Sequence, residues 1–151
     1  MRTDRPESAN IVEVLERAEC ERLLASHDIG RIAFSLGGVP EIFPVNYASD
    51  GSTVIFRTSE GTRLARSAMQ RAAFEVDEFN PTARIAWSVV VQGVVVEITD
   101  SAEPLAIRLR EKRVVPLAPG AHERWMAIYS SNISGRRFRT STQADGATRV
   151  D

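Results

Sequence analysis

Hydrophobic and polar positions alternate with a short period over most of the chain, as is typical of β-strands. Six such segments are bounded by glycine, proline, serine or aspartate, which predicts six strands. These cover residues 29–35, 39–48, 53–58, 72–76, 84–98 and 133–140. Apolar residues at helical spacing predict three helices, over 18–26, 61–69 and 102–112. Residues 11–15 form a short apolar stretch whose type the pattern leaves open.

The turns between the first three strands predict an antiparallel meander. Gly37-Gly38 joins the first pair and Asp50-Gly51 joins the second, and both dipeptides are hairpin signals. The middle strand contains Pro40 and Pro44, which cannot donate backbone hydrogen bonds. We therefore expect this strand to lie at an edge of the sheet or to carry a bulge.

The strand predicted over 84–98 has apolar residues on both faces. A half-exposed strand would alternate, so this strand is expected to be covered twice. One face would line a barrel core, and the other would meet another element or another subunit. Together these patterns predict a mainly β (β+α) fold, a small antiparallel six-stranded barrel with helices at its ends.

Composition narrows the function classes. The 151 residues contain 19 basic and 20 acidic side chains, a balance that argues against a strongly basic nucleic-acid binder. One cysteine excludes an intramolecular disulfide, and two histidines give no basis for a metal site. No apolar run approaches the roughly 20 residues of a membrane helix. We expect a soluble cytoplasmic protein with flexible tails over 1–10 and 141–151 around one domain over 11–140.

A possible anion site follows the third predicted strand. Residues 57–66 read Arg-Thr-Ser-Glu-Gly-Thr-Arg-Leu-Ala-Arg, so a strand ends in hydroxyl residues and a predicted helix begins at once. Helix N-termini present unpaired backbone N–H groups to anions. Arg57, Thr58, Ser59, Thr62 and Arg63 can add hydroxyl and guanidinium donors for a phosphate. The alternative is an N-cap at Ser59 with solvated arginines.

Two further segments carry candidate ligand contacts. Pro44 leaves backbone groups unpaired, so a flat ligand can replace a strand partner there, with Asn46 and Tyr47 bonding to its edge. The alternative is an ordinary edge strand. Ser88 is a polar residue in an apolar run, and it can bond either to backbone or to a ligand.

The ordered motifs resemble a known family. In chain order they are Gly30-Arg-Ile-Ala-Phe34, Pro40-Glu-Ile-Phe-Pro-Val-Asn-Tyr47, Ile55-Phe-Arg-Thr58, Gly61-Thr-Arg-Leu64, Ala73-Phe-Glu-Val-Asp77 and Ser88-Val-Val-Val-Gln-Gly93. This set resembles the flavin-binding split-barrel proteins related to pyridoxamine 5′-phosphate oxidase, particularly their small actinobacterial-type members. The similarity covers roughly residues 18–96.

The resemblance implies a homodimer of split barrels that holds flavin mononucleotide (FMN) at the subunit interface. It implies ring contacts from Pro44, Val45, Asn46, Tyr47 and Ser88, and phosphate contacts from Arg57, Thr58, Ser59, Thr62 and Arg63. Arg63 stands where family members usually carry lysine, and the residues that bind pyridoxal phosphate in the true oxidases have no clear match. The implied activity is an FMN-dependent oxidoreduction of an unknown small molecule, with no general acid or base assigned.

Three alternatives stay open at this point. The split-barrel family includes proteins that use the deazaflavin F420, whose anionic tail Arg63 and Arg66 would also suit. A second alternative is a protein that stores or senses flavin or F420 without useful turnover. A haem-binding protein is the third, and it is disfavoured because His27 and His122 lie outside the matched motifs.

Overall fold

The computed structural model describes residues 11–99, 104–115 and 124–140, so both predicted tails lie outside the described residues. Eight antiparallel strands form one curled sheet with helices at its periphery, which confirms the predicted fold class with eight strands instead of six. The strands are β1 Ile11–Val14, β2 Ile29–Leu36, β3 Val39–Asn46, β4 Ala48–Asp50, β5 Thr53–Thr58, β6 Arg71–Asn80, β7 Ile85–Glu97 and β8 Arg124–Arg139. The helices are α1 Arg17–Ala25, α2 Pro104–Arg110 and a 3₁₀ helix, Leu64–Ser67.

The sheet has the strand order β3-β2-β6-β7-β8-β5-β4, and β1 pairs with the far end of β8. The predicted three-strand meander is therefore wrong. The chain turns after β3 at Tyr47, whose backbone N–H donates to the Asp28 carbonyl at 2.9 Å. One predicted strand is thereby divided into β3 and β4, which lie at opposite ends of the strand order. Both predicted hairpins are confirmed, because β2 pairs with β3 and β4 pairs with β5, but the two hairpins do not lie side by side in the sheet.

Two predicted segments near the C-terminus form one strand. The structure has β8 running from Arg124 to Arg139, where the sequence predicted a mixed segment and a separate strand over 133–140. A register shift between Gln92 and Gly93 of β7 lets the long pair β7–β8 bend while remaining hydrogen-bonded. The predicted edge position of the proline-containing strand is confirmed, because β3 ends the sheet.

The barrel core lies on one face of the sheet. Along β7 the side chains of Trp87, Val89, Val91 and Val95 are buried, in strict alternation with their neighbours. Each such side chain stabilises the fold by roughly 1.5–3 kcal/mol. The largest fully buried side chains of this core are Phe56, Phe74, Leu24, Ile32, Met126 and Ile128. We call this the inner face, and the opposite face the outer face.

The outer face of β7 is only partly covered. Val90 and Val96 are half-buried, whereas Gln92 and Val94 are exposed. The described residues of this chain therefore do not supply the second cover that the apolar pattern of β7 predicts. A covering partner subunit stays a prediction.

Helix α2 covers one part of the outer face. Leu109 of α2 and Val114 beyond it pack on Ile55 of β5 and Ala127 of β8, forming a second apolar cluster. The described part of this helix lies within the helix predicted over 102–112. Pro104 is tolerated at its start because the first turn of a helix leaves the backbone N–H groups unpaired. None of the helices within the described ranges is long and apolar enough to cross a membrane.

The helix predicted over 61–69 is wrong. Only Leu64–Ser67 is helical, as one 3₁₀ turn. Gly61 has φ +76° before it, and Met69 has φ +65° after it, so neither residue continues a right-handed helix. The apolar residues that suggested a helix pack instead as a turn, with Ala65 buried against the barrel.

Candidate functional site

The candidate ligand residues divide between the two faces of the sheet. Val45, Tyr47 and Thr58 are buried toward the core, at 5%, 3% and 3% exposure. Pro44, Asn46 and Arg57 alternate with them and therefore lie on the outer face. Consecutive residues of one motif thus have different roles. The buried residues can support a site, and the residues on the outer face can touch a ligand.

Tyr47 is a core residue. Its hydroxyl donates to the Leu24 carbonyl oxygen, and its ring packs edge-on against Phe74 with centroids 4.6 Å apart. Burial, with the Asp28 carboxylate adding to it, raises the pKa of the Tyr47 hydroxyl, so this group stays protonated. The bond to Leu24 ties the end of β3 to helix α1. A contact of Tyr47 with the edge of a ligand stays a prediction.

Asn46 offers an unused acceptor on the outer face. Its side-chain Nδ2 donates to the Val115 carbonyl oxygen. Its Oδ1 is buried and has no hydrogen-bond partner in the described part of the chain. Asn46 also lines a cavity of about 360 Å³ together with Asp28, Tyr47, Arg113 and Val115. Because a buried acceptor without a donor is costly, Asn46 is suited to receive an N–H group from a ligand.

Arg57 is held in a fixed direction. Its Nη1 donates to the Val114 carbonyl oxygen at 3.4 Å, and its guanidinium lies over the Trp125 ring, 4.9 Å from the centroid. Arg57 and Trp125 are direct cross-strand partners on β5 and β8. A guanidinium that is oriented by stacking presents its N–H groups in one geometry, which suits a phosphate.

The hydroxyl residues after β5 bond to one another. The hydroxyls of Thr58 and Thr62 are 2.8 Å apart, and the Thr62 hydroxyl donates to the Ser59 carbonyl at 2.9 Å. The Thr62 hydroxyl also accepts from the Ala65 N–H at 3.0 Å, which closes the turn. Since the helix that should begin here is a single 3₁₀ turn, the helix N-terminus argument for an anion site is wrong. Any phosphate contact at this point comes from side chains.

Arg63 pairs with a carboxylate that the sequence analysis did not consider. Its Nη2 donates to Oε1 of Glu41, on the neighbouring strand β3. Arg63, Arg66 and Glu41 line an outer cavity of about 410 Å³ beside the β2–β3 hairpin. The ion pair neutralises part of the positive charge predicted for the phosphate, so Arg63 is a weaker candidate than Arg57.

Ser88 lies toward the opposite end of β8 from Arg57. It is half-buried on β7, opposite Arg136 of β8, and lines a cavity of about 220 Å³ with Asp77 and Phe138. Arg57 pairs with Trp125 near the other end of β8. From Trp125 to Arg136 is about 36 Å of strand at about 3.3 Å a residue. Ser88 and Arg57 therefore belong to opposite ends of β8.

His27 makes local contacts instead of facing a reaction site. Its ring lies edge-on to Trp87 with centroids 5.0 Å apart, Nδ1 is 2.8 Å from the Ser26 hydroxyl, and Nε2 is 3.3 Å from Glu78. The lone cysteine, Cys20, is 1% exposed in the core, as expected for a structural thiol.

Val114 and Val115 were missed by the sequence analysis. Their consecutive carbonyl oxygens accept the bonds from Arg57 and Asn46, so this short segment joins the two outer-face candidates. An apolar pair directly after a predicted helix was the signal available, but nothing local indicates where such a pair docks. The structure also places Trp125 under the Arg57 guanidinium, a contact that depends on the pairing of β5 with β8.

Comparison with known proteins adds independent information. A family model described as pyridoxamine 5′-phosphate oxidase matches residues 16–137. The chain is 34% identical over 139 residues to uncharacterized protein Rv0080 of Mycobacterium tuberculosis, covering 88% of this chain and 90% of that protein.

Two solved structures share the fold. A FAD binding protein from Mycobacterium smegmatis is 32% identical with a TM-score of 0.68, covering 85% of this chain and 100% of its own. A putative pyridoxamine 5′-phosphate oxidase from Corynebacterium glutamicum is 26% identical with a TM-score of 0.73, covering 94% and 100%. The match over most of the length shows that the chain belongs to the pyridoxamine 5′-phosphate oxidase family.

Proposed function

We propose that this protein binds a flavin nucleotide between two copies of the chain and uses it to oxidise or reduce a small molecule. The observation that carries the proposal is the pair on the outer face: Asn46 with an unused acceptor, and Arg57 with an oriented guanidinium. The two groups are joined through adjacent carbonyls, so they face one region. The similarity to a FAD-binding relative supports a flavin as the ligand.

The donor set fits a flavin nucleotide. Asn46 Oδ1 can accept the imide N–H of the ring system, and the Arg57 guanidinium can bond to a phosphate with two parallel hydrogen bonds. Pro44 keeps the edge of β3 free of one backbone donor beside Asn46, leaving a surface against which a planar ring can lie. Val45, Tyr47 and Thr58 support these positions from the inner face.

FMN is the cofactor predicted from the resemblance, and FAD contains the same ring and first phosphate. The contacts at Asn46 and Arg57 serve that common part, and the relative from M. smegmatis favours FAD. We therefore propose a flavin bound through its FMN portion, and leave the adenylate to experiment.

A bound flavin supplies the electron or hydride transfer. The chain's own groups hold and orient it: Asn46 by a hydrogen bond, Arg57 by charge, and the Tyr47–Leu24 bond by fixing the end of β3. None of these side chains is assigned as a general acid or base. The substrate is a small molecule whose class this donor set does not specify.

A homodimer completes the proposal. Along β8, Ser88 and Arg57 are separated by about 36 Å of strand, so we assign the Ser88 and the Arg57 that meet one ligand to different copies. The partly covered outer face of β7, with Val94 exposed, is the surface we assign to the partner. A two-fold arrangement would then form two equivalent sites.

Binding is tested by adding FMN, FAD or F420 to the purified protein, desalting, and recording the absorbance spectrum. Retention of a flavin spectrum is expected for FMN or FAD. The Arg57→Ala variant should bind at least about tenfold more weakly, since a hydrogen bond to a charged group contributes roughly 1.5–3 kcal/mol. Arg17→Ala, an exposed arginine on helix α1 away from the outer face of β7, is the matched control and should bind normally. Equal affinity of all three proteins would overturn the assignment of Arg57.

Mixed dimers test the shared site. Arg57→Ala and Ser88→Ala proteins should each bind flavin weakly as pure dimers. A heterodimer of the two has one site with both native residues, so about half of its sites should bind with native affinity. No recovery in the heterodimer would contradict the assignment of Ser88 to the partner's site.

Turnover separates an enzyme from a storage or sensing protein. Bound flavin that is reduced by a nicotinamide and reoxidised by an added acceptor over many cycles supports an oxidoreductase. Retention of flavin without such cycles would favour storage or sensing, and retention of F420 alone would favour a deazaflavin protein.

A further inference from the structure

Residues 112–115, which we call the strap, engage the two side chains assigned to the cofactor. The strap follows helix α2 and crosses the outer face between the end of β3 and strand β5. The Val114 carbonyl accepts from Arg57 at 3.4 Å, and the Val115 carbonyl accepts from Asn46. A phosphate at Arg57 would compete with the Val114 carbonyl, and a ring whose imide N–H bonds to Asn46 Oδ1 while its neighbouring carbonyl accepts from Nδ2 would compete with the Val115 carbonyl.

The strap is anchored by one apolar side chain. Val114 is 5% exposed and packs with Ile55, Leu109 and Ala127 in the second cluster. Val115, in contrast, is 56% exposed, and among the described residues its carbonyl oxygen makes the bond that holds it. Arg113 and Val115 also line the cavity of about 360 Å³ at Asn46, so the strap forms one wall of that cavity.

The bond that holds the strap to Arg57, at 3.4 Å, is weaker than the bond a phosphate would make. The carbonyls of the strap are neutral acceptors, whereas a phosphate oxygen is charged and makes a stronger bond to a guanidinium. One buried valine and two side-chain bonds can be given up without disturbing the barrel core, because the second cluster lies outside it. Segments with few buried contacts are those that open at low free energy.

We propose that the strap is a gate for the cofactor: it closes over Asn46 and Arg57, and a flavin nucleotide displaces it by taking over both side chains. The inference rests on the proposed function. The proposal also gives a role to the strap, whose residues lie outside the barrel core and would not contact the ring after displacement.

The test uses a cysteine at the strap anchor. In the Val114→Cys variant the new thiol is shielded by the second cluster while the strap is closed, and it reacts with a maleimide when the strap leaves. Cys20 is a slow internal background, since it is 1% exposed and burial raises the pKa of its thiol. Val89→Cys, in the barrel core at 0% exposure, is the matched control that reports unfolding of the whole domain.

Without flavin, the Asn46→Ala change should accelerate labelling at position 114 by about tenfold, as expected when a bond that holds a closed state is lost. Asn132→Ala, an exposed asparagine on β8, should leave the rate unchanged. Equal rates in both backgrounds would overturn the idea that Asn46 holds the strap.

With flavin, binding is followed by quenching of FMN or FAD fluorescence in parallel with labelling. Faster labelling at position 114, with no acceleration at position 89, is the expected result. Flavin that binds while labelling at 114 stays equal or slows would overturn the gate and leave the proposed function intact.

A strap-released variant, Val114→Ser, separates the two proposals. Flavin that binds this variant faster than wild type, or binds this variant only, supports the gate. Flavin that binds neither protein would contradict the proposed function, and the gate would fall with it.

Discussion

The inner and outer faces of the sheet differ in what their residues do. On β6, Phe74 is fully buried in the barrel, whereas Phe79 on the same strand is 67% exposed. On β3, Val45 belongs to the core, whereas Asn46 beside it faces the strap and keeps an unused acceptor. The inner face stabilises the fold, and the outer face carries the candidate site. In a β protein, a motif of consecutive residues therefore contains two interleaved sets with different roles.

The largest difference between the faces is expected for their phenylalanines. Phe74→Ala should lower the free energy of unfolding by about 3–5 kcal/mol, because it removes a fully buried ring and leaves a cavity. Phe79→Ala should change it by no more than about 0.5 kcal/mol. Urea denaturation of both variants measures the comparison. Similar losses would show that the exposed end of β6 is also part of a buried surface, for instance in a dimer.

A substitution at Gly93 tests the bend of the β7–β8 pair, which lets the inner face of the sheet close. An added Cβ would collide with the backbone carbonyl of Tyr129 on β8, which cannot rotate away. Gly93→Ala should therefore cost roughly 1–3 kcal/mol in thermal or urea unfolding, as overpacking does. A stable variant would mean that the register shift beside Gly93 moves to absorb the methyl group.

Substitutions at Thr62 test a position where the candidate site meets the barrel. The Thr62 hydroxyl contacts Thr58, the Ser59 carbonyl and the Ala65 N–H, so Thr62→Ala should cost roughly 0.5–1.5 kcal/mol of stability. Thr62→Ser keeps the hydroxyl and serves as the control. If Thr62→Ala weakens flavin binding far more than it lowers stability, the hydroxyl touches the ligand directly.

The smallest expected effect on stability is at Glu19 of helix α1, which lies outside both faces of the sheet. Bonds from Arg22 and Arg137 lower the pKa of Glu19 from 4.5 to about 2. The folded state therefore favours the ionised form, and this stabilisation is present above pH 4.5 and lost as the pH falls toward 2. Wild type and Glu19→Gln should differ in urea stability at pH 6 and converge between pH 4.5 and 2. A difference that persists to pH 2 would contradict this cause.

The sequence predicted local structure well where one face is buried. Short apolar segments bounded by turn residues located β2, β5 and β7, and Pro40 with Pro44 predicted an edge strand correctly. The helix over 61–69 was wrong because Leu64, Ala65 and Ala68 also suit a turn packed on a barrel. The strand over 39–48 was divided because Tyr47 bonds to Leu24 and Asp28, partners that lie far away in the sequence.

For the candidate site, the sequence identified the residue types and the tertiary structure selected among them. Hydroxyls and arginines after β5 signalled an anion site, but the ion pair of Arg63 with Glu41 and the stacking of Arg57 on Trp125 depend on strand pairing. Alternation along a strand already separates Asn46 from Val45 in the sequence. Which of the two faces the core is decided only when the sheet curls.

Hydrophobic segments and turns predicted an antiparallel barrel, and the ordered motifs indicated a resemblance to the pyridoxamine 5′-phosphate oxidase family, because all of these are local features of the chain. Only the folded chain shows which strands are neighbours, that Tyr47 is a core residue, and that the strap joins Asn46 to Arg57. Those outcomes depend on contacts between residues far apart in the chain, and their energies arise only when the sheet closes on itself.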